Sequence, residues 1–348
     1  MSTPKDLVLV TGGTGFIAGY CIIKCLAAGY RVRTTVRSLK REEEVRATLC
    51  AGNAVNLEEL SFVEADLTKD DGWAEAVRDC RYVLHVASPF PTATPENENE
   101  LIEPARDGTL RVLRAARDEG VYRIILTSSF GAIHAGPTKA DTNKVFTEED
   151  WTDIDSPEVS AYEKSKTLAE TLAWAFVRCE ANGLQLSVIN PVMVMGPVLS
   201  PNISTSIEVI SRLMNGTVPG CPNLEFGVVD VRDVADLHLL AMEHPKAKGE
   251  RFLCMAPPTM TMKGISLALR EGLGEKAKKC PTRAVPNFLM KILGKFDPAI
   301  ALVVPRLSQS LAGSNEKAKS LLGWKPRSNV EAVVATGESL VRLGLVAE

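Results

Sequence analysis

Tyr162 and Lys166 stand four residues apart in the run Tyr162-Glu163-Lys164-Ser165-Lys166, a spacing that puts a phenol and an ammonium on one face of a helix. A free phenol titrates near ~10. A neighbouring cation, joined by a bound charged group, stabilises the phenolate and brings that titration toward working pH. Such a phenol can protonate a carbonyl oxygen while a hydride reaches the carbonyl carbon. Tyrosine and lysine also meet at this spacing on ordinary helix faces, so a third group is needed. It comes from Ile124-Ile125-Leu126-Thr127-Ser128-Ser129-Phe130, an apolar strand ending in hydroxyls that can donate to an oxygen on which charge develops. Position alone does not separate Ser128 from Ser129.

A second chemical signal lies in Thr11-Gly12-Gly13-Thr14-Gly15-Phe16-Ile17-Ala18-Gly19, which holds both Gly-x-x-Gly-x-x-Ala and Gly-x-Gly-x-x-Ala. Gly12 and Gly15 allow a tight turn and a close backbone approach. Phe16 and Ile17 open a helix whose start offers free N–H groups and partial positive charge to a pyrophosphate. The turn follows the apolar run Leu7-Val8-Leu9-Val10, the context that a dinucleotide site requires. The next apolar run ends in Thr34-Thr35-Val36-Arg37. An acid there would accept from a ribose 2′-hydroxyl, whereas the Arg37 guanidinium suits a 2′-phosphate. Lys40 and Arg41 add positive charge, and the expected cofactor is NADP(H).

The elements that must position these groups show in the alternation of short β-branched runs with segments of helical period, the mark of βα units around a parallel sheet. Strands are expected at Leu7–Val10, Val32–Val36, Leu60–Val63, Tyr82–Val86, Ile124–Thr127 and Leu186–Asn190, and helices at Phe16–Ala28, Ala105–Glu119 and Ala161–Ala181. This is an α/β, doubly wound layout over residues 1–190. Past Pro191, proline, glycine, asparagine and serine cluster between 196 and 227, where a second lobe begins. A helix at Asp230–Glu243 and a strand at Glu250–Met255 are expected to return to the sheet, so 228–255 belongs with the first domain and 191–348 is mainly the smaller lobe.

Composition narrows the function classes. The chain has 348 residues, 45% of them apolar, and a net charge of -3, enough to bury a core without staples and with no basic footprint for nucleic acid or a membrane surface. Eight cysteines are scattered without a Cys-x-x-Cys pair or histidines at ligand spacing, so no metal is expected, and reduced thiols point to the cytoplasm. No run is long and apolar enough to span a bilayer.

The glycine turn, Ala65-Asp66-Leu67, His85-Val86-Ala87-Ser88-Pro89, Thr127-Ser128-Ser129, Tyr162 with Lys166, Asn190-Pro191 through Gly196-Pro197, Val229-Asp230-Val231-Arg232-Asp233-Val234-Ala235 and Leu322-Gly323-Trp324-Lys325-Pro326 together resemble the extended short-chain dehydrogenase/reductases. Within them the chain is most similar to the dihydroflavonol reductase, cinnamoyl-CoA reductase and aldehyde or methylglyoxal reductase group. The resemblance covers nearly the whole chain. It implies a doubly wound Rossmann-type sheet with a smaller C-terminal substrate lobe, and it selects Ser129 as the catalytic serine, leaving Ser128 a structural role turned into the backbone. It further implies that Asp66 and Leu67 hold the adenine, and that Val86, Ala87, Ser88 and Thr127 line the cofactor. Lys166 holds the nicotinamide ribose, Pro191 to Val194 the carboxamide end, and Ser206 a phosphate or ribose. Two departures stand out. Ala18 replaces the third glycine, and His134 occupies the place of a substrate-binding asparagine in plant dihydroflavonol reductases.

The function expected is NADPH-dependent reduction of a small aldehyde or ketone to the alcohol, with Tyr162 as proton donor and Phe90, His134, Met193 and Phe226 walling the substrate pocket. The partner is a small carbonyl compound, with no nucleic acid and no membrane, and the protein is a monomer or homodimer. An NAD-dependent nucleotide-sugar epimerase or dehydratase, and a non-catalytic NADP-sensing protein, are the competing readings. Arg37 speaks against the first and the complete Ser129, Tyr162, Lys166 set against the second.

Overall fold

The structure is a computed structural model that describes residues 5–89, 97–136, 144–296 and 304–346. In chain order, β1 (Lys5–Val10), α1 (Phe16–Ala27), β2 (Tyr30–Val36), α2 (Glu42–Ala51), β3 (Leu60–Glu64), α3 (Trp73–Val77), β4 (Cys80–His85), α4 (Asn99–Asp118), β5 (Arg123–Thr127), α5 (Ala161–Glu180) and β6 (Gln185–Pro191) form the first part. There follow β7 (Met193–Met195), α6 (Thr205–Met214), β8 (Cys221–Pro222), β9 (Glu225–Asp230), α7 (Val231–Glu243), β10 (Arg251–Cys254), β11 (Ala256–Thr261), α8 (Met262–Leu273), β12 (Ala284–Val285) and α9 (Asn287–Leu293), then the helices Glu316–Leu322 and Asn329–Arg342.

A seven-stranded parallel sheet in the order β10-β6-β5-β4-β1-β2-β3 carries the molecule. Both of its faces are covered, so its strands read as continuous apolar runs rather than alternating ones. On one face, residues of α1, α2 and α7 close over β1 and β2, with Ile22, Leu26, Leu49 and Leu237 fully buried. On the other, α3, α4 and α5 supply Trp73, Val112, Leu113 and Phe176. From β1 the chain winds outward through β2 and β3, then crosses to β4 and runs the other way. The carboxyl ends of β1 and β4 therefore flank the point where strand order reverses, which opens a crevice above the sheet.

The six expected strands and the returning strand near 251 all lie in this sheet. Several element ends shift by a residue or two, and three differences have a local physical cause. The helix expected from Ala105 begins at Asn99 and contains Pro104, whose missing N–H costs a single backbone bond near the start of a long helix. Asp230 ends β9 and caps α7 with its carboxylate, which accepts from Arg232 N at 2.8 Å, so the helix starts one residue later than expected. The proline- and glycine-rich stretch beyond 196 hides β9, which joins β7 and β11 in a three-stranded sheet. That sheet packs with α6, α8 and Asn329–Arg342 around Met195, Ile210, Leu213 and Leu269.

Two polar residues fasten the sheet to its helices. Arg123 opens β5 with 1% exposure. It donates to the carbonyls of Ala241, Met242 and His244 at 2.9, 3.0 and 2.7 Å, placing a cation on the negative end of α7. Trp324, just past Gly323 (φ +67), is buried among α1 and α7 residues, and its indole N–H donates to Asp233 O at 2.9 Å. The last third of the chain is thereby anchored in the core of the large sheet. Trp324→Ala should cost about 3–5 kcal/mol in urea unfolding, and a loss below about 1 kcal/mol would show that this anchor carries little.

Candidate functional site

At the reversal point the chain leaving β1 meets the chain leaving β4. Gly12 sits at φ +74, a conformation that L side chains rarely adopt, and a Cβ there would lie 3.0 Å from Ala87 Cβ. Thr11 stitches the two chains together. Its hydroxyl oxygen accepts from Val86 N at 3.1 Å and Ala87 N at 2.9 Å, and stands 2.9 Å from His85 Nδ1. With both lone pairs used, the Thr11 proton goes to Nδ1, which leaves the imidazole proton on Nε2. Burial, then the Lys166 cation, push the His85 pKa down to about 3, so this histidine is a neutral packing group.

The turn's own N–H groups are largely spent: Gly12 on Thr35 Oγ1, Gly13 on Thr35 O and Gly15 on Gly12 O, at 2.9, 2.9 and 2.8 Å. Those of Phe16 and Ile17, at the start of α1, find no acceptor among the described residues. They are the first-turn donors that a helix leaves open to an anion.

Arg37 lies exposed just past β2 with no ion pair among the described residues. Arg41 is less free, because Glu44 takes its Nε and NH2 at 2.8 Å each while NH1 reaches Thr14 Oγ1 at 3.4 Å. Lys40 is exposed. Asp66 accepts from Thr68 N and Thr68 Oγ1, both at 2.9 Å. Its pKa is lowered chiefly by that backbone bond, with Arg37 a smaller cause. Leu67 packs against Gly108.

The acid–base residues come together one strand further along. A capping box fixes the start of α5: Ser160 Oγ accepts from Glu163 N at 3.3 Å while Glu163 Oε2 accepts from Ser160 N at 2.8 Å. Tyr162 is thus held in a rigid first turn. Ser129 Oγ accepts from Gly131 N at 3.0 Å, which leaves its proton for the Tyr162 phenol, its hydrogen-bond partner. Gly131 permits this approach, since a Cβ there would meet Ser129 Oγ at 3.3 Å and Tyr162 Cε1 at 3.6 Å.

The phenol does not titrate lower, as its neighbour Lys166 suggests it should. Burial raises it, the Ser129 bond lowers it and Glu163 raises it; Lys166 is not among the causes. Burial instead brings Lys166 down to about 8, against a lift from Glu170.

Ser128 is structural but does not turn to the backbone. Its hydroxyl donates to Glu170 Oε2 at 2.6 Å, because a fully buried carboxylate needs every donor within reach. Thr127 directs its hydroxyl to His238 Nε2 at 2.7 Å. Among residues to which the sequence assigns no role, Glu170 and Arg251 matter most. Glu170 follows Lys166 by one helical turn, a signal that the sequence carries, but Arg251 lies 81 residues away and carries none.

His134 stacks on Phe130 with ring centroids 4.6 Å apart, and its Nε2 is 3.6 Å from Glu163 Oε1. Its pKa is lowered by burial, which outweighs the Glu163 charge. Glu163 Oε1 also pairs with Arg306 NH2 at 3.1 Å. Met193 and Phe226 are half-buried against the second core, Pro191 and Val194 are buried at the end of β6 and on β7, and Ser206 is half-buried in the first turn of α6. Phe90 lies outside the described residues. The crevice thus gathers the glycine turn, the Val86–Ser88 segment, Ser129, Tyr162 and Lys166.

Residues 8–254 match the family model described as the NAD dependent epimerase/dehydratase family. A cinnamoyl-CoA reductase of Medicago truncatula is 39% identical over 252 residues, covering 71% of this chain and 76% of that protein. A putative NADPH-dependent methylglyoxal reductase of Candida albicans is 30% identical over 334 residues, 91% of this chain and 93% of its own. Among solved structures, yeast methylglyoxal/isovaleraldehyde reductase complexed with NADPH superposes with a TM-score of 0.79 at 27% identity, over 98% of this chain and 100% of that one.

Thr11→Val should expose the importance of the stitch between β1 and β4. It strands the Ala87 N–H, leaves Val86 N–H with Leu84 O alone and costs about 1–3 kcal/mol in denaturant unfolding, whereas Thr11→Ser, which keeps the hydroxyl, stays near wild type. Equal midpoints for the valine and serine variants would rule the stitch out.

Proposed function

The chain belongs to the NAD dependent epimerase/dehydratase family, in its extended short-chain dehydrogenase/reductase branch, and from that premise we propose that it reduces a small aldehyde or ketone to the alcohol with NADPH. The observation that carries this reading is the Ser129 hydroxyl set beside the Tyr162 ring at Gly131, with Lys166 one turn further along α5, at the crevice where strand order reverses.

NADP(H) fits the residues present. A side chain at Gly12 would press on Ala87 in a strained backbone, Phe16 and Ile17 offer unengaged N–H groups, and Arg37 is an exposed guanidinium with no ion pair among the described residues. Gly12, Gly15, Phe16 and Ile17 would hold the pyrophosphate, Arg37 with weaker help from Lys40 and Arg41 the 2′-phosphate, and Asp66 and Leu67 the adenine. Val86, Ala87 and Ser88 would flank the ribose and phosphates, with Thr127 behind them in the wall. Lys166 would hold the nicotinamide ribose, Pro191 to Val194 the carboxamide end, and Ser206 a phosphate or ribose. When bound, the cofactor supplies the hydride.

The protein's own groups do the rest. Ser129 donates to the carbonyl oxygen and steadies its developing charge. Tyr162 is the proton donor, and burial suits it to that task because a raised pKa keeps the phenol protonated at neutral pH. The phenolate left behind is stabilised by the Ser129 hydroxyl and the Lys166 cation until a proton returns. His134, Met193 and Phe226 shape the side of the pocket that meets the substrate. Small or aryl-substituted carbonyls fit this reading, and dihydroflavonols fit it poorly because His134 alters the polar anchor. The family also includes epimerases and dehydratases; Arg37, where an acid would hold an NAD ribose, supports reduction with NADPH instead.

NADPH oxidation with a panel of aldehydes, ketones and dihydroquercetin tests the proposal. Wild type should turn over simple carbonyls, and Tyr162→Phe should bind NADPH normally but lose about 10²–10⁴-fold in kcat. Near wild-type turnover in that variant would remove Tyr162 from the reaction. The cofactor assignment is tested by the ratio of kcat/KM for NADPH and NADH. Arg37→Ala should weaken NADPH by about ten- to a hundredfold with NADH nearly unaffected. Arg41→Ala should do less, since Glu44 already neutralises half of that guanidinium's surroundings. A ratio unchanged in Arg37→Ala would dismiss it as the determinant.

A further inference from the structure

We propose that Glu170 is a positioning residue for this reaction: a buried anion that locks the Ser129 end of β5 to α5 and faces Lys166 across a cavity the size of one water molecule. The inference rests on the reading of Tyr162, Ser129 and Lys166 as the reacting set, and adds a group that this reading does not use.

Four donors converge on the Glu170 carboxylate. Oε2 accepts from Ser128 Oγ at 2.6 Å and Asn190 Nδ2 at 2.8 Å; Oε1 accepts from Arg251 Nε at 2.5 Å and Trp174 Nε1 at 3.2 Å. These donors come from the ends of β5 and β6, the start of β10 and the next turn of α5. The Asn190 amide nitrogen also donates to Ser129 O at 3.1 Å, so Glu170 reaches the backbone of the serine that bonds Tyr162 through a single side chain. Arg251 cannot drift, because NH1 donates to Glu148 O and Asp150 O at 2.7 and 3.0 Å and its guanidinium lies 3.6 Å from the Trp151 ring centroid.

Stability alone is a weak reason to place such a pair here, since an apolar pair of similar volume often does as well or better. The position relative to Lys166 supplies a better one. A cavity of about 10 Å³ is bounded by Lys166, Glu170, Ser128, Thr127, Ala87 and Ser88, among others, roughly enough for one water with polar partners on several sides. Among the described residues, the titratable groups around Lys166 are few. His85 from β4 is neutral, Tyr162 and Glu170 come from its own helix, and α4 presents Ala105 and Thr109 to the same cavity. Glu170 is the anion that offsets the burial of the lysine. Its field is present whether or not substrate is bound, and the hydrogen bonds that hold it are those that hold Ser129.

The sign of the effect follows. Below about pH 8 Lys166 is a cation; without the Glu170 charge, burial acts unopposed and the lysine becomes neutral at lower pH. The Tyr162 phenolate then loses its cation within the working range. Glu170→Gln, which keeps an acceptor for Ser128 and Asn190, should move the alkaline fall of kcat/KM for carbonyl reduction down by about one pH unit. It should also lower kcat at pH 8 by about tenfold or more, with KM for NADPH changing less than about threefold. A purely structural residue would lower the melting temperature and leave the pH profile where it is.

The single variant leaves Arg251 buried and unpaired, so Glu170→Gln is also combined with Arg251→Met, which removes both buried charges together. Profiles that coincide with wild type in whichever of the two variants folds overturn the proposal, as does a profile displaced in Glu170→Asp, which retains the charge and should keep the wild-type profile. Tyr162→Phe is run alongside. If it retains turnover, the underlying reading of the site fails. If it is inactive and the Glu170 profiles do not move, only the Glu170 proposal fails.

Discussion

A hydroxyl with three partners holds the site open. Thr11 ends the first strand, and its oxygen takes two backbone N–H groups from the chain leaving β4 while giving its proton to His85. Parallel strands that wind away from each other leave their carboxyl ends with no common connection, and the N–H groups there face a crevice rather than a neighbour. Thr11 supplies the missing acceptor on the β1 side. Gly12 can then cross against Ala87, and Phe16 and Ile17 begin a helix whose free donors point out of the turn. A cofactor site and a wall for Lys166 both depend on that meeting of two chain segments.

Burial sets the charge state around this crevice more than pairing does. His85 and His238 are pushed down to about 3 and about 4, Lys166 to about 8, and Tyr162 is raised. Each shift favours the neutral form, as removal from water demands. Phenol and lysine at i and i+4 suggest the opposite for the tyrosine, because sequence spacing reveals the neighbour but not the depth. The Glu170 carboxylate, fully buried, is surrounded by four donors. The crevice therefore sets groups driven toward their neutral forms beside one carboxylate whose oxygens are fully engaged.

Much of this was legible in the sequence where the signal is local. The sheet strands are short β-branched runs, the turn is a glycine string after the first of them, and Tyr162 and Lys166 share a helix. Partners distant along the chain left no such trace. Arg123 precedes the strand expected at Ile124–Thr127 and carries no local signal, since its acceptors Ala241 and Met242 are 118 and 119 residues away. Trp324 sits in a stretch that reads as part of the small lobe, although its indole closes the core beneath α7. The strand β9 is masked by the turn-forming residues before it, and its register depends on β7 and β11, which pair with it only in three dimensions. Ser128 and Ser129 cannot be told apart by position, and the destination of the first became visible only with Glu170.

Glu163 shows how the pocket can vary without disturbing the chemistry beside it. Its Oε2 is committed to the Ser160 cap that sets the first turn of α5, and its Oε1 faces His134 and Arg306. Arg306 is more than half exposed, so its bond to Glu163 is worth little and can be exchanged for contacts to a substrate. The capping box lies on the other oxygen and persists whichever partner Oε1 takes. Tyr162, one residue before Glu163, keeps its place while the residues opposite it change. The Ser129 end of β5 is held from below by Asn190 and Glu170, while His134 and Arg306 meet α5 from above through a separate atom, Glu163 Oε1.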